Sequence, residues 1–253
     1  YDKVEQLQKA LEMYNKILNI SDNEPGAYYG KATIFDRKNK LKLAEKNYKS
    51  AIKLDDKYYQ AFLYLADIYE RLDNYELAEK NYIKAIKVNK HNFWAYNNYG
   101  VFLEEQDKDK LALKQFEKAL ENDPENYKAY FNKGVVYKKI GKINLAIKNY
   151  NIAIDKNKEY PYSYLNLSII YKEKGNYKKA LDIISEGIRY DKKTSVLFYN
   201  RAIFLTYLKK YEKALDDLDK ATDLSSSLKK YMRKDPELSK LKKYKKFNKI
   251  SKK

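Results

Sequence analysis

The chain has 253 residues, 44% hydrophobic and 35% charged, with a formal net charge of +18 and a mean hydropathy of −0.84. That length holds one or two ordinary globular domains, and no apolar run in it is long enough to cross a bilayer. It contains no cysteine, which excludes a disulfide framework and thiolate chemistry.

Much of the positive charge is lysine, used heavily together with asparagine, tyrosine and isoleucine. All four have A/T-rich codons, so genomic base composition and selection for an anionic partner both stand as explanations. The expected compartment is the cytoplasm. An upstream signal, anchor or further repeat is allowed for, because the chain opens on Tyr1 rather than Met.

Residues 1–19 are apolar at Val4, Leu7, Leu11, Tyr14 and Leu18, the spacing of one helix face. Ser21 to Gly26 reads as a turn, with Pro25 placed to start the next helix. From there helices come in pairs, beginning near Pro25, Tyr59, Phe93, Tyr127, Pro161 and Ser195. The turn inside each pair falls at Asn39, Asp73, Asp107, Gly141, Gly175 and Lys209. Gly, Asn and Asp tolerate the left-handed conformation that ends a helix. Lys209 departs from the rule, and a different geometry is expected there.

The pairs repeat with a fixed period. Ala112, moved in steps of 34 residues, lands on Ala10, Ala44, Ala78, Ala146, Ala180 and Ala214. Phe116 lands on Tyr14, Tyr48, Tyr82, Tyr150, Ile184 and Leu218, and Ala119 on Ile17, Ala51, Ala85, Ala153, Gly187 and Ala221. On the first helices a small-residue series runs through Ala32, Ala66, Gly100, Gly134, Ser168 and Ala202. Antiparallel helices that approach closely need small residues at the crossing and large ones beside it. One such pair cannot bury its apolar face alone, so neighbours must stack. The pattern over residues 1–222 resembles the tetratricopeptide repeat.

That resemblance implies an all-α fold: an α-solenoid of antiparallel helix pairs curled into a right-handed superhelix. The expected division is a half repeat or N-terminal cap over 1–24, then six repeats over 25–226 (25–58, 59–92, 93–126, 127–160, 161–194 and 195–226). A basic capping helix and tail follow over 227–253. The family's position-seven leucine is uneven here, being Lys31, Leu65, Tyr99, Lys133, Leu167 and Arg201, so the inner lining is more polar in some repeats. In the tail, Leu228 to Arg233 suits a short helix and Asp235-Pro236 a helix start. Leu238, Leu241, Tyr244 and Phe247 then form a narrow apolar stripe fit to cover the last repeat, and residues 251–253 are expected to be disordered. Over 229–253, twelve basic residues stand against Asp235 and Glu237 alone.

No catalytic, metal or cofactor motif is present. His91 sits in a loop, and acidic pairs such as Glu104-Glu105 and Asp216-Asp217 read as solvated helix-surface charge. Trp94, at the second position of its repeat, either packs between repeats or lines the groove. The informative functional pattern is a series of asparagines at one repeat position: Asn98, Asn132, Asn166 and Asn200. The family resemblance places that position on the concave groove. The series is similar to the asparagine ladder of the O-GlcNAc transferases, which holds a substrate's backbone. An amide carries both donor and acceptor and can pair with a peptide bond whatever the sequence. A carboxylate clamp of the kind found in chaperone-binding members is not expected, since no repeat supplies both of its first residues, although Lys128 and Asn132 suit parts of one.

The leading expectation is therefore a non-catalytic adaptor that takes an extended peptide or partner helix in its groove. The alternatives are a basic module for nucleic acid or an anionic surface, and a substrate-recruiting arm of a larger enzyme.

Overall fold

The computed structural model describes residues 2–252. Among them are fifteen α-helices, one 3-10 helix and no strand. The chain divides after Pro124 into two compact units.

The first unit holds α1 (Asp2–Ile20), α2 (Pro25–Arg37), α3 (Leu41–Leu54), α4 (Tyr59–Glu70), α5 (Tyr75–Val88), α6 (Phe93–Glu105) and α7 (Asp109–Asn122). Helix α1 packs on α2. The pairs α2/α3, α4/α5 and α6/α7 then stack through α3 on α4 and α5 on α6. The second unit holds α8 (Tyr127–Lys139), α9 (Ile143–Lys156), α10 (Pro161–Glu173), α11 (Tyr177–Tyr190), α12 (Ser195–Tyr207) and α13 (Tyr211–Leu224). They pair as α8/α9, α10/α11 and α12/α13, with α9 on α10 and α11 on α12. Its C-terminal segment comprises α14 (Leu228–Lys234), a 3-10 helix (Pro236–Leu241) and α15 (Lys245–Lys252).

The period is a packing period. Ala44, Ala78, Ala112, Ala146, Ala180 and Ala214 have no exposed surface. In the pairs α6/α7 and α8/α9 the glycine of the first helix faces the large residue of the second. A Cβ built on Gly100 would lie 2.6 Å from the Phe116 ring, and one on Gly134 would lie 2.7 Å from the Tyr150 ring. Both rings are buried, so the helix axes are as close as the rings allow.

Every first helix in a pair ends alike. The backbone N–H of Lys40, Asn74, Lys108, Lys142, Asn176 and Lys210 bonds the carbonyl of Phe35, Tyr69, Leu103, Tyr137, Tyr171 and Leu205 in turn, at 2.8–2.9 Å. That bond requires a left-handed residue between, and φ is positive at Asn39, Asp73, Asp107, Gly141 and Gly175. Lys209 does not depart from this geometry as its residue type suggests: its φ is 59°. The closing bond and the packing on either side impose the conformation against its side chain.

The C-terminal segment differs from the single stripe-bearing helix expected from the sequence. It breaks into a 3-10 turn and a separate helix. In a 3-10 helix residues three apart line up, so Leu238 and Leu241 both enter the core. Asp235 anchors the turn by accepting from the Glu237 N–H at 2.8 Å. Met232, Leu238, Leu241, Phe247 and Ile250 are all buried in one cluster with residues of α12 and α13, and Tyr244 packs at its edge. Ser251 and Lys252 are not disordered. They complete α15, and the Ser251 carbonyl accepts from the Arg233 guanidinium. Lys253 lies outside the described residues.

Two outcomes follow from this packing. Lys209→Gly removes a left-handed penalty of roughly 1 kcal/mol and is expected to raise the urea midpoint without changing the m-value. Truncation after Ser227 uncovers apolar surface on α12 and α13, each lost buried side chain contributing about 1.5–3 kcal/mol. The truncated chain is expected to melt at least about 5 °C lower by circular dichroism; an unchanged melting temperature would show that the segment does not support the repeats.

Candidate functional site

The first helices of the pairs carry the asparagines at one register, the sixth residue of each helix. Asn98 is on α6 in the first unit. Asn132, Asn166 and Asn200 are on α8, α10 and α12 in the second. All four are half-buried. Earlier first helices have Gly30 and Tyr64 at that position, so the amide series begins only at the third full pair.

The four amides are not equivalent. Asn166 Nδ2 donates to the Tyr162 carbonyl at 2.9 Å, and Asn200 Nδ2 to the Val196 carbonyl at 2.9 Å. Each therefore spends one N–H on its own helix and keeps its amide oxygen and second N–H. Asn98 is the reverse. Its Oδ1 accepts from Nδ2 of the buried Asn97 at 3.3 Å, and its own N–H groups remain. Asn98 thus retains donors only, whereas Asn166 and Asn200 each retain an acceptor and a donor.

Asn98 lines a cleft of about 440 Å³ with Tyr29, Tyr59, Gln60, Leu63, Tyr64, Asn92 and Trp94. These come from α2, α4 and α6, with Asn92 as the cap of α6, so three first helices build one wall. No lining residue is charged, in a chain that is 35% charged. Trp94 lines this cleft: it is 42% exposed, as is Tyr64, and its ring meets Phe93 edge-on at 5.2 Å. Tyr64 stacks over the buried Tyr48 at 6.1 Å, and Tyr29 lies 6.0 Å from Tyr64 and 5.1 Å from Tyr58. Burial first, then the neighbouring tyrosines, pushes the Tyr29 hydroxyl well above its ordinary value, so it stays a neutral donor.

The second unit repeats part of this arrangement. Phe131, at the register of Tyr29, meets Tyr160, at the register of Tyr58, at 5.2 Å, and Tyr160 lies 5.5 Å from the exposed Tyr162. The sequence reading missed these clusters. The signal was present as an aromatic at the fifth position of a pair and another at its last. Asn200 lines a separate cleft of about 550 Å³ with Val196, Tyr199, Leu228, Tyr231, Lys234 and Asp235.

Two acidic groups read as solvated or passed over in the sequence are set into the fold. Asp217 is buried, and Arg201, standing where the repeat has leucine, grips it with both prongs at 2.6 and 2.7 Å. Glu70 on α4 has a buried Oε1 with no hydrogen-bond partner. Burial, with Glu105 and Asp67 nearby, pushes its carboxyl up to about 7 against the Tyr82 hydroxyl bond. His91, by contrast, is exposed in its loop. Among the described residues no cluster of His, Cys, Asp and Glu could hold a metal, and no helix is long and apolar enough to cross a membrane.

The raised Glu70 carboxyl has a signed consequence. The unfolded chain ionises it from the ordinary carboxylate range near 4.5, whereas the folded chain holds the proton to about 7. Its contribution to stability is present below that range and is lost as pH rises through 7. Glu70→Gln is therefore expected to stabilise at pH 8 by about 1 kcal/mol, after allowance for partial exposure, and to change nothing below the ordinary carboxylate range. Thermal melts across that interval measure it.

Three family models described as tetratricopeptide repeat match the chain, at residues 58–125, at 25–58 and 161–194, and at 115–148. No curated protein sequence matches it. Among solved structures, a chain of the APC/C hetero-tetramer Cut9–Hcn1 superposes with a TM-score of 0.69 at 14% identity, over 96% of this chain and 46% of that one. This chain thus spans just under half the length of that relative. PilF of Pseudomonas aeruginosa superposes with a TM-score of 0.69 at 19% identity, over 87% of this chain and 96% of its own. YrrB, whose structure is described as a TPR protein with an unusual peptide-binding site, gives 0.51 at 24% identity, over 74% and 97%. At these identities the likeness is one of fold.

Proposed function

We propose, for a chain that belongs to the tetratricopeptide repeat family, a non-catalytic scaffold whose first-helix faces take an extended peptide or a partner helix. The repeat fold itself supports a protein-interaction scaffold in general. The observation that carries the finer reading is the uncharged cleft of the first unit, where Asn98 stands beside the exposed rings of Tyr64 and Trp94. Aromatic walls take apolar side chains of a ligand, and amides take its backbone. Asn98 offers N–H to a peptide carbonyl. Asn166 and Asn200, and Asn132 at the same register, serve the peptide face of the second unit.

The test starts with a peptide selected from a display library on the intact chain. Asn166→Ala with Asn200→Ala is expected to weaken a second-unit ligand roughly tenfold or more, each lost hydrogen bond costing about 1 kcal/mol. Asn98→Ala with Trp94→Ala does the same for a first-unit ligand. Helical content stays unchanged, and binding changes little with salt. Unaltered affinity in both double variants would remove the amides from the mechanism.

A further inference from the structure

The C-terminal segment is built with its charges sorted by side. Its two acids are spent inward. Asp235 accepts from the Tyr199 hydroxyl at 2.7 Å, and Glu237 accepts from Lys172 at 3.1 Å and the Tyr207 hydroxyl at 3.0 Å. Its apolar residues are spent inward too, in the cluster with α12 and α13. What faces solvent is basic. Of the exposed lysines between 228 and 252, only Lys246 has a carboxylate within ion-pair distance among the described residues, that of Asp216.

The order on α15 is regular. At 100° per residue, Lys245, Lys249 and Lys252 fall within an arc of about 60°. The buried Phe247, Ile250 and Ser251 occupy the opposite side. The three lysines climb the helix in steps of roughly 5 Å, one turn each. Lys234 on the adjoining α14 also has no carboxylate within ion-pair distance among the described residues, and it lines a cleft with Tyr231, which is 66% exposed, and with Asp235, whose carboxylate is taken up by the Tyr199 hydroxyl. Helix α14 packs on α15.

A folded face with unneutralised positive charge attracts a polyanion. An anionic bilayer and a phosphodiester chain both qualify by charge. A surface helix that holds a bilayer also inserts apolar side chains below the headgroups, and here Phe247, Ile250, Leu238 and Leu241 are buried in the protein. An exposed ring beside lysines suits a base stacked between phosphate contacts. We propose that residues 228–252, besides closing the second unit, bind single-stranded nucleic acid, with Lys245, Lys249 and Lys252 on phosphates and Tyr231 stacked on a base.

The inference does not depend on peptide binding by the first-helix faces. It is tested on the intact chain by fluorescence anisotropy with a labelled oligouridine and a labelled oligothymidine of roughly 20 nucleotides, between about 50 and 200 mM salt. Binding is expected to weaken steeply with salt. Lys245→Glu, Lys249→Glu and Lys252→Glu together are expected to lower affinity at least tenfold and to flatten the log–log salt slope by about 2. The matching Lys→Arg triple retains binding. Tyr231→Ala is expected to lower affinity about fivefold with the slope unchanged. If the charge-reversed triple melts early, the Lys→Gln triple replaces it. No binding by the wild type at the lower salt would overturn the proposal. So would equal binding by the charge-reversed chain, or tighter binding to phosphatidylcholine vesicles containing phosphatidylserine than to either oligonucleotide.

Discussion

The distance between the two helices of a pair is the constraint on which the rest depends. It is set by a ring on one helix lying against a residue with little or no side chain on the other, as Phe116 lies on Gly100 and Tyr150 on Gly134. Where the repeat register carries alanine instead, at Ala32 with Tyr48 and at Ala66 with Tyr82, both members are buried. At that approach the two helices share one apolar layer, too small to hold a fold alone. Stacking continues it, and the 34-residue period is the chemical record of that need. The end of the stack in the second unit shows the same logic. The C-terminal segment gives up helical regularity, taking a 3-10 turn, so that Leu238 and Leu241 both reach the layer.

Departures from the repeat are tolerated where something local answers them. Arg201 replaces an expected leucine, and Asp217 on the paired helix supplies the counter-charge in a two-pronged bond. Removing either partner alone would leave a buried charge, the situation proteins tolerate least. Lys209 takes a left-handed turn because the Lys210 to Leu205 bond closes the helix there as in every other pair. Glu70 is answered least well. One of its oxygens is buried without a partner, and the fold keeps its proton near neutrality instead.

Because core residues fill the inner turns of both helices in a pair, the exposed side of the first helices is free to vary. Its content changes along the chain from aromatic, at Tyr29 and Tyr64, to amide, at Asn98 and beyond. The shift is also one of hydrogen-bond polarity. The neighbouring Asn97 takes up the oxygen of Asn98, whereas helix carbonyls take up an N–H of Asn166 and of Asn200.

Fold class, helix pairing and the buried alanine series were legible in the sequence, because each rests on a periodicity, and periodicity in a linear string maps directly onto helix faces. The four asparagines were legible as a register for the same reason. Their chemical individuality was not, since it depends on which neighbouring atom each amide meets. The pairing of Tyr29 with Tyr58 and of Phe131 with Tyr160 joins positions almost a full repeat apart, and only tertiary contact brings those rings within about 5 Å. Asp217 and Glu70 look like any surface acids in the string, and burial by other helices is what sets them apart. The left-handed turn at Lys209 and the broken C-terminal helix were decided in the same way. In both, local preference pointed elsewhere, and the free energy of packing and of closing hydrogen bonds exceeded the roughly 1 kcal/mol that local preference is worth.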